Sequence, residues 1–218
     1  MKKLLLSALA IALVAGPTLA RPSSQSSQSS ASQQGAQSAQ STDKTPPSYD
    51  MKPQSLLDLD SMNKKYVSLA EALPAEKFNW RPSDDSRSFA EVLLHVSGER
   101  YQILALGGAQ PPAGFDGKTY EKSTTDKAKI IEELNKSENF AQAQIQSMTN
   151  GDFANPLPKL GPQANAGDVV YILIADAHEH LGQAIAYARV NGVVPPWTVA
   201  AKKAAADTAA GKKAQNEK

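Results

Sequence analysis

Ser88-Phe89-Ala90-Glu91-Val92-Leu93-Leu94-His95-Val96, residues 88–96, is the stretch from which the fold can be read. Ser88 and Glu91 stand three apart just before an apolar run. That is the spacing of a capping box, in which the serine oxygen takes an orphan helix amide and the glutamate returns the bond. Phe89, Val92, Leu93, Val96 and Ile103 recur at helical intervals, and Gly107-Gly108 and Pro111-Pro112 break the pattern. A helix over residues 89–106 is expected, with one apolar side turned to a core.

Three further stretches show the same period. Upstream, Leu56, Leu59, Met62, Tyr66, Leu69 and Leu73 predict a helix over residues 54–72, stopped by Pro74. Downstream, Ile130, Ile131, Leu134, Phe140, Ile145 and Met148 predict a helix that starts at Ser123 or Thr124, with Asp126 as the acid of its first turn. The fourth follows Asn165, whose partner Asp168 again stands three residues on, and runs to Asn191-Gly192. No alternating run bounded by turn signals predicts a strand. Four amphipathic helices in one domain-sized segment, residues 51–198, make an all-α four-helix bundle.

The ends of the chain read differently. Lys2 and Lys3 precede an apolar run over residues 4–15, and Pro17 and the small-residue sequence Thr18-Leu19-Ala20 follow. This is the pattern of a cleaved secretory signal peptide over residues 1–20. A spanning helix takes about 20 apolar residues, so the expected protein is not membrane-embedded. The composition contains no cysteine, hence no lipoprotein acceptor, disulfide or thiolate ligand. The expected location is the periplasm or the medium. Residues 21–50 are nearly all Ser, Gln, Ala and Gly at first and hold too little apolar area to order themselves, so a disordered linker is expected. Residues 199–218 repeat Ala and Lys with no large apolar side chain after Val199, and a disordered tail is expected there. With 23 Lys+Arg against 22 Asp+Glu, the balance excludes a strongly basic nucleic-acid binder.

All three histidines fall within expected helices. At about 100° per residue, His180 lies about 40° from Asp176, whereas His178 lies about 200° away. Asp176 and His180 therefore share the arc of Val169, Ile172, Leu173, Ala177 and Ala184, and His178 points elsewhere. His95 sits between Val92 and Val96, one turn before Glu99, and can face the same axis. Neutral imidazoles and a carboxylate on facing helices are donors that zinc, nickel or iron accepts, so His95, Asp176 and His180 are the candidate ligands of a divalent cation. Two histidines and one carboxylate leave coordination positions for a small-molecule substrate, with Glu99 as the candidate catalytic proton carrier. An ordinary i, i+4 pair between Asp176 and His180 would produce the same pattern without metal. The long connection over residues 107–122 is a candidate rim for such a site, and Trp80 either lines a pocket or packs over the end of the core.

The segment from Trp80-Arg81-Pro82 through Arg87-Ser88-Phe89-Ala90-Glu91-Val92-Leu93-Leu94-His95-Val96 resembles the loop and second helix of the DinB/YfiT-like superfamily of metalloenzymes. His178-Glu179-His180-Leu181-Gly182-Gln183, continuing through Tyr187 to Pro195-Pro196, is similar to that family's last helix. The resemblance implies a bundle with a metal held by one histidine of the second helix and a histidine pair at i, i+4 in the last. Asp176 stands where the first of that pair would be, a departure from the family pattern. The activities it implies are those of thiol-dependent S-transferases and isomerases; metal-activated water would also suit hydrolysis at such a centre. The competing expectation is a non-catalytic metal- or ligand-binding module, or a structural bundle, and a homodimer is compatible with either.

Overall fold

The computed structural model describes residues 50–216; the expected signal peptide and nearly all of the expected linker lie outside the described residues. Four long helices, α1 (Met51–Ala72), α2 (Phe89–Leu106), α3 (Lys127–Ser147) and α4 (Ala166–Val190), are followed by α5 (Pro196–Asn216), and short 3-10 turns occupy Ala75–Lys77, Tyr120–Lys122 and Asp152–Ala154. There is no strand among the described residues, only an isolated bridge between Pro156 and Asn165. No described helix is long and apolar enough to cross a membrane.

The helix starts follow local chemistry. Both expected capping boxes form: the Ser88 hydroxyl accepts from the Glu91 amide while the Glu91 carboxylate accepts from the Ser88 amide at 2.7 Å, and Asn165 and Asp168 repeat the exchange on α4. Two starts differ from the reading of the sequence. α1 begins three residues earlier than expected, because the Asp50 side chain caps it by accepting from the Lys52 amide. α3 begins later, because Asp126 caps the helix from outside, accepting from the Lys129 amide, and so does not sit in the first turn.

The core lies between α1, α2, α3 and α4, each of which packs on two of the others. Leu59, Met62, Tyr66 and Leu69 of α1 meet Val92, Leu93 and Val96 of α2, Ile130, Leu134 and Ile145 of α3, and Val169, Leu173 and Ala184 of α4, all buried. Ile172 does not join them. At the edge of its arc it remains 44% exposed. The connection after α1 lies against the start of α2: the Phe89 amide donates to the Trp80 carbonyl and the Ala90 amide to the Phe78 carbonyl, with the Phe78 and Phe89 rings edge to face at 5.3 Å.

Fully buried at the centre of this apolar interior is Arg100. Its Nη1 donates to Asn63 Oδ1 of α1 at 3.1 Å, to the Leu134 carbonyl at 2.8 Å and to Ser137 Oγ at 3.0 Å. Its Nη2 stands 3.1 Å from Glu138 Oε2, close enough for an ion pair but off the line of a hydrogen bond. One charged side chain thus joins α1, α2 and α3.

Past the bundle, Trp197 packs against the core and the chain continues as α5, whereas a disordered tail was expected from residue 199. The composition accounts for both the expectation and the outcome. From Val199 to Lys212 every side chain is exposed, so tertiary contacts do not order the segment. Alanine and lysine are nonetheless strong helix formers, and the i, i+4 pair Lys203–Asp207 at 3.1 Å adds to that local preference.

Candidate metal centre

α2 and α4 pack side by side and bring His95 against His180, with ring centroids 4.4 Å apart and the rings nearly perpendicular. Asp176, one turn before His180 on α4, places Oδ1 3.4 Å from His180 Nε2. One donor atom from each of His95, Asp176 and His180 lies within 4.8 Å of the others, and all three residues are half-buried. The helical arithmetic is therefore realised in space. The i, i+4 step on α4 and the facing of two helices create one cluster, while His178 is exposed on the far side of α4.

The outer nitrogens of both imidazoles are engaged. His95 Nδ1 stands 2.7 Å from Glu121 Oε1, and His180 Nδ1 stands 2.9 Å from Gln183 Oε1. Gln183 in turn donates from Nε2 to the Tyr187 hydroxyl at 3.0 Å, and Trp80 packs edge to face on Tyr187 at 5.2 Å. Trp80 thus braces the shell of the site as a packing residue. With each Nδ1 tied outward, each Nε2 is left for the interior of the cluster. Tetrahedral zinc sets its ligand atoms roughly 3.3 Å apart, as follows from bond lengths near 2.0–2.1 Å. The Asp176–His180 separation already has that size, and the other separations need a closure of at most about 1.5 Å, within the reach of side-chain rotation. In donor chemistry, direction and spacing the three residues fit a divalent cation.

The electrostatics of the two rings differ. Burial lowers the His95 pKa, aided by Arg87 and His180 and opposed by Glu121, which keeps the ring neutral. The Asp176 carboxylate raises the His180 pKa above the ordinary imidazole value, against the effect of burial. Glu99 is raised by burial first and then by the nearby Asp176 and Glu121 charges. It stands 3.8 Å from His95 Nδ1, the outer nitrogen, and accepts from Gln102 Nε2 at 3.2 Å. The nearest carboxylate to His95 is not Glu99 but Glu121, which sequence reading missed. Glu121 belongs to the 107–122 connection, and the only signal that could have found it was an acid within a loop already marked as a rim.

Beside the cluster opens a cavity of about 650 Å³ lined by Arg81, Arg87, Glu121, Lys122, Gln183 and Tyr187 among others. Its lining includes the two groups that hold the imidazoles from outside, and Glu121 and Lys122 supply the expected contribution of the long connection to its wall.

The family described as the DinB superfamily matches residues 58–184, which include all three clustered side chains. Among solved structures, a DinB-like protein from Bacillus cereus is similar to the chain at 18% identity with a TM-score of 0.56, covering 66% of this chain and 95% of that one. A conserved protein of locus from Enterococcus faecalis is similar at 17% identity with a TM-score of 0.55, covering 65% and 97%. No curated protein matches the chain.

Proposed function

Since the chain belongs to the DinB superfamily, we propose that it is a metal-dependent enzyme acting on a small molecule, with His95, Asp176 and His180 holding one divalent cation. The observation that carries this reading is the convergence of three donor atoms within 4.8 Å from two different helices. Zinc, nickel and iron suit two imidazoles and a carboxylate. The cation supplies Lewis acidity, which suits hydrolysis or thiol transfer. The protein's own groups do the rest. Asp176 and the two Nε2 atoms bind, Glu121 and Gln183 orient the rings, and the adjoining polar cavity admits substrate past Arg87 and Tyr187. Glu99 is the proposed proton carrier, supported by its half-burial 3.8 Å from His95 Nδ1 and by a pKa raised by burial and by the Asp176 and Glu121 charges. The signal-peptide pattern of residues 1–20 supports export, so the substrate is proposed to be one of the cell envelope or the medium.

One observation favours a second, non-catalytic reading, in which the cluster is a closed binding site: none of the three ligands lines the 650 Å³ cavity. The two readings separate in one assay. Protein stripped with a chelator and reloaded with zinc, nickel or ferrous iron is offered a panel of small esters and amides, and electrophiles with added thiols. Turnover that requires metal and disappears in His180→Ala supports the enzyme. Metal retained without turnover on any class supports the closed site.

A further inference from the structure

Glu121 reaches His95 from outside the bundle. It lies in the 3-10 turn Tyr120–Lys122, at the end of the connection between α2 and α3, 26 residues along the chain from His95. Its carboxylate accepts from Arg87 Nε at 2.8 Å and Arg87 Nη2 at 3.0 Å, one bond to each oxygen. The oxygen that takes Nη2 also faces His95 Nδ1 at 2.7 Å. The turn is held on both sides. The Tyr120 hydroxyl donates to Glu133 Oε2 of α3 at 2.6 Å, and its ring lies on α2 at Gly98, where a Cβ would come within 3.1 Å of Tyr120 Cδ1. Glycine at position 98 is what permits that close approach.

We propose that Glu121 is a positioning residue that holds neutral His95 in the tautomer with its proton on Nδ1 and its Nε2 lone pair facing Asp176 and His180. The role rests on the reading of that cluster as a cation site. An ionised carboxylate has no proton to give, so the nitrogen against it must donate. A neutral imidazole has one N–H, so donation from Nδ1 leaves Nε2 bare, and that is the form a metal accepts. The two-pronged contact from Arg87 keeps Glu121 charged and fixes its plane. Glu99, at 3.8 Å, is too far to take over. The two rings differ here, because His180 rests on Gln183, an amide that can present either oxygen or nitrogen, while His95 rests on a group that can only accept.

The test uses the full chain with 15N-labelled histidine, free of metal, at a pH where His95 is neutral. Long-range 1H–15N correlation spectra distinguish the two tautomers directly. Wild type is expected to show His95 protonated on Nδ1, and Glu121→Ala is expected to move the population to the Nε2-protonated form. Glu121→Gln, which keeps the volume but cannot accept all three bonds, is expected to show a mixture. Zinc affinity, measured by competition with a chromophoric chelator, is expected to fall about 10–100-fold in Glu121→Ala, and Lys118→Ala in the same loop is expected to leave it unchanged. His95 protonated on Nε2 in wild type, or an Nδ1 proton that persists in both Glu121 variants, overturns the proposal. If the tautomer behaves as expected while wild type takes up no zinc, the positioning role stands and the cation reading falls.

Discussion

The Tyr66 hydroxyl donates to the Ala177 carbonyl at 2.6 Å, tying the middle of α1 to the turn of α4 that lies between Asp176 and His180. Tyr66 is fully buried, and burial, with Asp176 adding to it, pushes its hydroxyl pKa far up, so the group stays a neutral donor at any ordinary pH. Tyr66→Phe removes one buried hydrogen bond and leaves the ring's packing intact. The expected cost is about 1 kcal/mol in urea denaturation. A loss under about 0.3 kcal/mol would mean that the bond does not hold the turn.

The Arg100–Glu138 pair is predicted to respond unequally to single and double replacement. Glu138→Leu leaves a fully buried guanidinium without its counter-charge and is expected to cost about 3–5 kcal/mol. Replacing both, Arg100→Met with Glu138→Leu, is expected to cost less than the single change, because no charge then remains buried. Denaturation midpoints of the two variants decide it. A double variant less stable than Glu138→Leu would show that the network with Asn63 and Ser137 outweighs the desolvation.

Cation uptake is predicted to release protons. Asp176 raises the His180 pKa above 6.5, so in the metal-free protein the ring is protonated below that raised value and must lose its proton to bind. The affinity should therefore weaken as the pH falls through this range. His95, lowered by burial, stays neutral further into acid and contributes less to the release. Calorimetry at about pH 7 in buffers of different ionisation enthalpy should show a proton release of up to about one per cation from this ring. Heats independent of buffer would mean that His180 is already neutral or does not bind.

The legible features were those set by local spacing. Ser88 with Glu91, and Asn165 with Asp168, are three-residue patterns whose hydrogen bonds close within one turn, and both formed. Asp176 and His180 lie on one face for the same reason, and His95 met them because it lies on the side of α2 that packs against α4. Glu121 was not legible, since its approach to His95 depends on how a loop closes across α2 and has no period. Arg100 was missed for a related reason. A lone arginine on a helix reads as solvent-facing, and its partners Asn63 and Glu138 come from two other helices. The helix over residues 196–216 was lost to an argument about docking, which does not govern a segment whose own composition favours helix.

His95, Asp176 and His180 are proposed to hold one divalent cation. The metal content of the purified protein, measured by plasma mass spectrometry beside His95→Ala and His180→Ala with matched circular dichroism, tests it most directly. About one cation per chain is expected in wild type, with loss from both variants while their helical content is kept. No metal in wild type after incubation with zinc, nickel and ferrous iron, or metal retained in both variants, would contradict it.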